Sequence, residues 1–490
     1  MNAIAWRVEY RAAAWQLAEA LQQLRSVDWH AAQCPRFPRM SVRRCIALCV
    51  AALTLALAPA AGAATKTYTF RSKTFSVDGF ETVYPKLFVK TPKRSGYITY
   101  MYARLMFAPG RPVPLKDVML HHIVFINAGY QGGPAKTTSC HGRRGEPFWG
   151  TGEEHEHLEL PAGYGYQVDA RDRWRMQTML MSHGLRARRV YVQYTVRLVT
   201  GRHLQRVKPL WLRAEGCLKF PSYEVDGGGA AGSTNVRTHR WTMPFSGRIV
   251  ASGAHLHGSS KGMAITEPGC GNRTIIRHDP LFGMPDDTVY RIRPILHEPG
   301  PIATGYYLSK QGIPVTRGEK LDVTGLYDDE HPHPGVMAIA HVYIAPDSSV
   351  KNACAPLPAD GHIMWTRHDG RPSAPYEPIP FNAVGPDGRV HKIDRPAGAT
   401  LVADGNARIA VGDSFFKAAN VSIPAGATVT WNWTGHLRHN VYLAGGPRDV
   451  NSTSEGHGFV YRKQFTVPGT YRLFCFLHPV TMHQVVEVRP

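Results

Sequence analysis

A cysteine, two histidines and a methionine near the C-terminus have the types and spacing of a metal site. Cys475, His478 and Met482 form a C-x-x-H-x-x-x-M motif, and His439 lies upstream in a separate strand-like run. One thiolate and two imidazoles in a trigonal set, with a weak axial thioether, are the ligands of a blue, or type 1, copper ion. The motif therefore predicts a type 1 copper site, for which the alternative is a buried structural cysteine beside unrelated histidines.

The residues around this motif predict the element that positions it. Short alternating runs separated by turn residues, such as those that end at Trp433 and Phe476, are typical of a β-sandwich. The segments SIPAGATVTW, HNV and FCFLHP resemble those of plastocyanin, amicyanin and azurin, the cupredoxins, over about residues 400–490. The resemblance implies four copper ligands, which are His439, Cys475, His478 and Met482.

Histidines also recur in strand-like runs in the middle of the chain. His255 and His257 are two residues apart, so on a strand both imidazoles lie on one face, which suits chelation. Met337 adds a soft thioether, and this mixed donor set suits a copper ion that cycles between Cu(I) and Cu(II). His121 and His122 are adjacent and point to opposite faces of a regular strand, so they bind one metal ion together only where the strand twists or bulges.

These motifs together resemble the copper type II, ascorbate-dependent monooxygenases that hydroxylate peptidyl-glycine or dopamine. The runs PVPLKDVMLHHIVF, GTGEEHEHLELPAGYGY, GAHLHG and HPHPGVMAIAHVYIAP are also similar to the stress-up-regulated nodulin family, over most of residues 80–346. The resemblance implies two further copper ions. The residues implied for the first ion are His121, His122 and His183. Those implied for the second, oxygen-reactive and catalytic ion are His255, His257 and Met337. The alternative ligands are His155 and His157, or His331 and His333.

Composition places these motifs on an all-β chain. The 490 residues include 47 glycines and 37 prolines, with many short apolar runs between them. The predicted fold is two successive jelly-roll-like β-sandwiches followed by a cupredoxin Greek-key β-sandwich. The predicted domains are residues 65–225 and 226–348 for the first and second monooxygenase-like sandwiches, 349–396 for a Pro-rich linker, and 397–490 for the cupredoxin domain. The alternative for the Pro-rich stretch is packed irregular chain.

Residues 40–64 have the pattern of a secretory signal peptide. Arg43 and Arg44 precede a short apolar run, and Ala61-Gly62-Ala63 supplies an A-x-A cleavage signal. The apolar run is shorter than the roughly 20 residues that span a bilayer. We therefore expect a secreted or periplasmic protein with no stable membrane span after cleavage, and residues 1–39 to be a mis-assigned upstream extension. The alternative is an uncleaved anchor with a cytoplasmic extension.

Export to an oxidising compartment makes the number of cysteines informative. Beyond the signal peptide the chain has an odd number of them. Chain order favours pairs of Cys140 with Cys217 and of Cys270 with Cys354, which is one of the connectivities that four cysteines allow. The odd thiol is Cys475, which agrees with a role as metal ligand.

Charge and motifs exclude several classes of function. Lys and Arg exceed Asp and Glu by 57 to 37, for a net charge of +20, but the charge is scattered and no nucleic-acid recognition motif is present, so no nucleic-acid partner is expected. The chain has no nucleophile elbow, Walker A loop or Rossmann fingerprint, which argues against a hydrolase, a kinase or a nicotinamide enzyme. We expect an extracytoplasmic copper redox protein whose partners are a redox protein or small-molecule reductant and a small organic or peptide substrate. The alternative is a non-enzymatic electron-transfer, docking or copper-binding protein with degenerate front sites.

Overall fold

The structure is a computed structural model that describes residues 64–133, 136, 140, 145–218, 221–291, 297–372 and 381–490. The predicted upstream extension and signal peptide, up to residue 63, lie outside the described residues. Within the described ranges the chain is almost entirely β-strand, which confirms the predicted fold class. Helical turns in these ranges are a 3-10 turn at Pro268–Cys270 and a short helix α1 at Thr288–Arg291. No helix of the described ranges is long and apolar enough to cross a membrane.

The strands of the first sandwich run from residue 64 to residue 225. They are β1 Ala64–Arg71, β2 Phe75–Val77, β3 Thr82–Val83, β4 Lys86–Val89, β5 Gly96–Phe107, β6 Val118–Asn127, β7 Glu146–Gly152, β8 Leu158–Glu159, β9 Tyr164–Val168, β10 Trp174–Ser182, β11 Arg188–Thr200, β12 Gln205–Arg213 and β13 Tyr223–Val225. One inner sheet has the order β3-β10-β6-β7, and its side chains Phe125, Trp149 and Trp174 are fully buried.

The strands of the second sandwich follow. They are β14 Thr234–Thr242, β15 Gly247–Leu256, β16 Ser260–Glu267, β17 Arg273–His278, β18 Pro280–Leu281, β19 Ala303–Thr304, β20 Tyr306–Val315, β21 Lys320–Asp328, β22 His333–Val336, β23 Ala338–Pro346 and β24 His362–Met364. Strand β12 pairs in parallel with β9 and antiparallel with β23. The two sandwiches therefore share one sheet, of order β1-β11-β5-β9-β12-β23-β15-β20-β24.

The last domain is a two-sheet sandwich. Its strands, with a preceding hairpin, are β25 Asn382–Val384, β26 Val390–Lys392, β27 Thr400–Val402, β28 Ala407–Gly412, β29 Phe415–Phe416, β30 Asn420–Pro424, β31 Thr428–Trp433, β32 Tyr442–Gly445, β33 Val460–Gln464, β34 Gly469–Phe474 and β35 His483–Arg489. One sheet has the order β27-β30-β35-β34-β32 and the other β29-β28-β31-β33. Trp431, Trp433 and Tyr471 fill the space between the sheets.

The segment predicted as a Pro-rich linker is attached to the front half at several points. Cys354 forms a disulfide with Cys270, and strand β24 pairs with β20. The carboxylate of Asp360 accepts hydrogen bonds from the Ser309 hydroxyl, at 2.6 Å, and from the Lys310 backbone, at 2.7 Å. The described part of this segment is therefore attached to the second sandwich, although most of its residues are exposed. Both predicted disulfides are confirmed, since the second pairs Cys140 with Cys217.

The last domain is docked on the front half. The Tyr442 hydroxyl donates a hydrogen bond of 2.5 Å to the carbonyl of Pro334, and the Arg448 guanidinium donates to the carbonyl of Gly227. An apolar cluster that includes Phe474 and Phe476 also contains methionines of the first sandwich, which are Met119, Met179 and Met181. Residues 63–490 accordingly form one compact unit.

Candidate metal centres

The predicted type 1 copper ligands converge at one end of the last sandwich. Cys475 follows the end of β34, and backbone hydrogen bonds close the loop that it begins, because the amide of His478 donates to the Cys475 carbonyl and the amide of Cys475 to the Met482 carbonyl. His439 arrives just before β32 and is fully buried. The Sγ atom of Cys475 lies 3.7 Å from Nδ1 of His439 and 3.6 Å from Nδ1 of His478.

These distances fit a copper ion. Two ligand atoms about 2.0–2.3 Å from a common ion and about 120° apart are separated by about 3.6–3.7 Å, which is the trigonal arrangement of a type 1 site. Met482 is fully buried in the same core cluster as Cys475. Sequence reasoning assigned the three converging ligands to one site, and the structure brings them together; the axial role of Met482 stays a prediction.

Burial sets the protonation states of these ligands. Burial raises the pKa of Cys475 to about 11, and backbone hydrogen bonds at Asn440, Leu477 and His478 act in the opposite direction. Burial lowers the pKa of His439, so its imidazole is neutral near pH 7. A copper ion that binds here displaces the thiol proton, as metal binding generally does at cysteine.

Sequence reasoning missed two residues that support this site. The Asn440 side-chain oxygen accepts a hydrogen bond of 2.7 Å from the Phe476 amide, which ties the ligand loop to the strand that carries His439. Asp413 lies 3.6 Å from Nε2 of His439 and thereby limits the orientation of that ring. Asn440 could have been found from the sequence, because it directly follows the ligand His439. No sequence signal marks Asp413.

In the front half, a β-bulge places the adjacent histidines of β6 together. Met179 pairs with His122 and Leu180 with Leu120, so His121 is the extra residue of the bulge. The Nδ1 atoms of His121 and His122 are 3.3 Å apart. Strand β6 thus has the bulge that would be needed for both imidazoles to bind one metal ion.

The second predicted set also converges. The Nε2 atoms of His255 and His257 are 3.2 Å apart at the end of β15, and Met337 lines the same cavity. The Glu154 carboxylate accepts from Nδ1 of His255 at 3.2 Å, which leaves Nε2 of that ring as the donor for a metal ion. Gly152 is required here, because a Cβ atom at this position would lie 2.7 Å from the His255 ring.

The structure does not keep the two predicted sets apart. The ring of His121 lies 5.0 Å from that of His257, and the ring of His122 lies 6.0 Å from that of His255, measured between centroids. The ring of His297 lies a further 4.7 Å from His121. The front-half histidines therefore form one cluster, although the resemblance implied two separate copper sites across a cleft.

His183, the third ligand implied for the first copper, is buried near this cluster without joining it. Neither ring nitrogen of His183 has a hydrogen-bond partner among the described residues. The residues whose ligand atoms do come together with His121 are Glu153 and His297, all within 4.8 Å of one another. Sequence reasoning missed both, because neither lies in a strand-like run with a regular spacing.

The alternative ligands have other contacts. His333 is held between two carboxylates, with Nδ1 2.7 Å from Glu298 and Nε2 3.3 Å from Asp328, and His331 contacts the same Asp328. The ring of His157 lies 4.7 Å from that of Tyr102. His155 is half-buried and has a left-handed backbone conformation, with φ of 51°. The rings of His333 and His157 thus anchor loops next to the cluster.

Burial sets the protonation of the cluster. Burial and the neighbouring imidazole of His255 lower the pKa of His122 to about 3, so that ring is neutral near pH 7. Burial raises the pKa of Glu153 to about 8. Burial alone would raise the pKa of Glu154, but the charge of His255 and its hydrogen bond lower it below the usual value. Neutral imidazoles beside carboxylates are a donor set for a cation.

A cavity of about 1000 Å³ connects this cluster with the last sandwich. Its lining includes His121, His257 and Met337 of the front half and Tyr442 and Phe476 of the last sandwich. Phe476 is covalently next to the thiolate ligand Cys475. The front-half cluster therefore lines this cavity directly, and the type 1 site is one residue away from its lining.

Comparisons with known proteins agree with the geometry of the C-terminal site. Residues 403–489 match the family model described as copper binding proteins, plastocyanin/azurin family. The chain is 34% identical over 96 residues to amicyanin-alpha of Methylorubrum extorquens, an alignment that covers 19% of this chain and 75% of that protein.

Among solved structures, it resembles a purple cupredoxin from Nitrosopumilus maritimus, with 26% identity, a TM-score of 0.16, and coverage of 17% of this chain and 98% of that one. An oxidized amicyanin variant gives 26% identity and a TM-score of 0.16, with coverage of 18% and 85%. Through its C-terminal domain the chain belongs to the plastocyanin/azurin family of copper-binding proteins.

Proposed function

We propose that this chain is an extracytoplasmic copper oxidoreductase whose cupredoxin domain passes single electrons to a metal centre in the front-half histidine cluster. The cupredoxin domain itself implies copper binding and electron transfer. The observation that supports the larger proposal is the shared cavity, because its lining includes both Phe476, which is next to Cys475, and the imidazoles of His121 and His257.

A short route through the protein leads from Cys475 towards the histidine cluster. Phe476 follows Cys475, and its ring lies 4.9 Å from that of Tyr442. The Tyr442 hydroxyl donates to the Pro334 carbonyl, and the next residue, Gly335, lines the cavity together with His257. The steps from Cys475 to Gly335 are covalent bonds, one ring contact and one hydrogen bond, which supports a route for the electron as far as the cavity.

Copper would supply reversible one-electron transfer at both ends of this route. The protein residues would hold and orient the metal ligands. Glu154 fixes the His255 ring, and the bulge at His121 directs the His121 ring to the cavity. A cavity of about 1000 Å³ is in the range of small-molecule sites, which supports a small organic or peptide substrate for an oxygen-dependent hydroxylation like that of the resembling monooxygenases.

The compartment is part of the proposal. Two disulfides, Cys140–Cys217 and Cys270–Cys354, are typical of proteins that fold in an oxidising environment. The electron donor to the cupredoxin domain is then a periplasmic or extracellular redox protein or a small-molecule reductant. Peptides from residues 1–39 in the native protein, found by mass spectrometry, would contradict export by the predicted signal peptide.

Metal analysis combined with electron paramagnetic resonance tests this function. The full-length protein should bind more than one copper ion and show a type 1 and a type 2 signal. After reduction by ascorbate, the blue band should return in the presence of O2 faster in the wild type than in His257→Ala, whose cupredoxin domain is unchanged. A protein with type 1 copper alone, or equal rates in the two proteins, supports the alternative of a plain electron-transfer protein.

A further inference from the structure

The geometry points to a metal site made of His121, His297, Glu153 and Met119, which differs from the set implied by resemblance. We propose that this site, and not one that contains His183, holds a copper ion of the front half. The inference rests on the proposed function, because it names the ligands of the metal centre that would exchange electrons with the cupredoxin domain.

The candidate ligand atoms converge around Nε2 of His297 and Oε1 of Glu153. Nε2 of His297 lies 3.3 Å from Oε1 of Glu153 and 3.0 Å from Sδ of Met119, and Nε2 of His121 lies 3.8 Å from the same Glu153 oxygen. Ligands about 2.1–2.3 Å from one ion in a tetrahedral arrangement are about 3.4–3.8 Å apart. The separation between His121 and Glu153 is in this range, whereas both separations from His297 are shorter, so an ion that binds here must push the His297 ring a few tenths of an ångström away from Glu153 and Met119.

Three separate segments supply these residues. Met119 and His121 are two residues apart on β6, Glu153 directly follows β7, and His297 lies in the loop before β19. The second oxygen of Glu153 accepts a hydrogen bond of 2.9 Å from the Gly300 amide, which fixes the carboxylate with Oε1 towards the two histidines. All four side chains are buried, so bulk water does not compete for them.

The hydrogen bonds of the histidines fix the tautomers that a metal ion requires. Nδ1 of His297 lies 2.6 Å from the Glu298 carbonyl, which can only accept, so Nδ1 carries the proton and Nε2 presents its lone pair to the site. His121 has the same arrangement when its Nδ1–H donates to Nδ1 of His122. Ligand histidines generally donate their other N–H to a carbonyl or similar acceptor in this way.

The resulting group contains acceptors that face one another. Nε2 of His297 lies within hydrogen-bond distance of the Met119 thioether and of Oε1 of Glu153, and among these three groups a donor is present only when the Glu153 carboxyl carries a proton. Buried acceptors without a donor are costly. A proton on Glu153 would satisfy one pair of atoms, whereas one metal ion satisfies all four residues, and this difference favours the ion.

The donor types indicate copper among the divalent metals. Two imidazoles and a carboxylate suit Cu(II), for which nitrogen and oxygen sites have the highest affinity of the first-row series. A thioether is a soft ligand that suits Cu(I). A site with both kinds of donor binds both oxidation states, as an ion that accepts and releases single electrons requires.

The test measures front-half copper in full-length variants, with the blue band as the internal report on the cupredoxin domain and its copper. His297→Gln and Glu153→Gln should each weaken front-half copper binding by roughly tenfold or more, at an unchanged blue band. His183→Gln is the matched control, because His183 is a buried histidine near the site but not one of its ligands. This variant should bind front-half copper as the wild type does. Met119→Leu, which nearly conserves volume, should lower the copper–sulfur contribution to the X-ray absorption spectrum of the Cu(I) form without loss of the fold, while the contribution of Cys475 stays.

The outcomes separate this proposal from the proposed function. Front-half copper that is retained in His297→Gln and Glu153→Gln but lost in His183→Gln would overturn the ligand assignment and leave the proposed function in place. A wild type that binds only the type 1 copper would overturn both, and would leave a proton shared by Glu153 and His297 at this position.

Discussion

Replacing Tyr442 with phenylalanine removes the hydroxyl that joins the cupredoxin domain to the front half and leaves the ring in place. That hydroxyl donates to the Pro334 carbonyl at 2.5 Å. A hydrogen bond of this kind contributes about 0.5–1.5 kcal/mol net, and an acceptor that is left buried without a partner costs about 1–3 kcal/mol. We therefore expect Tyr442→Phe to lower the free energy of unfolding by about 1–2 kcal/mol and to slow electron transfer out of the cupredoxin copper.

Tyr471→Phe is the matched control for this change. Its hydroxyl also donates to a backbone carbonyl, that of Val467 at 3.0 Å, but both residues lie within the cupredoxin domain. The two variants should lose similar stability in urea denaturation, and both should keep the blue band. Only Tyr442→Phe should slow the return of that band after reduction.

Stopped-flow re-oxidation in O2 measures the effect. The rate constant in the wild type should not change on tenfold dilution, because the two centres belong to one chain and react as a docked pair. Equal rates in Tyr442→Phe and Tyr471→Phe would refute the route through the Pro334 carbonyl. A rate constant that falls with dilution would refute transfer within one molecule.

Three further changes test other parts of the structure. Cys475→Ala should abolish the visible charge-transfer band and leave the circular dichroism of the β-sheets unchanged, since only the thiolate ligand is lost. Gly152→Ala places a Cβ atom 2.5 Å from the His121 carbonyl oxygen and 2.7 Å from the His255 ring, so front-half copper should be lost while the blue band stays. Burial raises the pKa of Asp449 well above the usual value of an aspartate, which is about 3.9, so the free energy of unfolding should fall as pH rises from that value through the folded-state pKa. Asp449→Asn should remove this fall in urea titrations between pH 4 and pH 8, and an unchanged slope would contradict the assignment.

The type 1 site could be predicted from sequence because its ligands are local. Cys475, His478 and Met482 lie on one loop between adjacent strands, and the turn that joins them is closed by backbone hydrogen bonds within the loop itself. A short motif therefore contains most of the geometry. What the motif does not contain is Asp413, which reaches His439 from another strand connection.

The front-half cluster could be predicted only in part, because tertiary structure assembles it. The i, i+2 spacing of His255 and His257 predicts a shared strand face, and the structure places their Nε2 atoms 3.2 Å apart. Glu153 and His297 come from the end of β7 and from an irregular loop, where no period marks the side-chain direction. The bulge at His121 depends on pairing with β10, which one strand's sequence does not specify.

The Pro-rich segment 349–396 shows the same limit for domain organisation. Its composition is that of a linker, yet single contacts decide its structure: one disulfide at Cys354 and the carboxylate of Asp360 attach it to the second sandwich. Composition reports average tendencies of a segment, whereas attachment depends on a few residues whose partners lie far away in the chain.

The two candidate centres differ in their access to other molecules. His439 and Cys475 are fully buried in a packed core, so the ligand geometry changes little when an electron arrives or leaves, which suits a carrier. The histidines of the front cluster line a cavity of about 1000 Å³ that has room for a further molecule, which suits a site of chemistry. Tyr442 and Arg448 hold the cupredoxin domain against the front half, so under the proposed function each electron would pass within the molecule, and an external donor would need to reach only the cupredoxin domain.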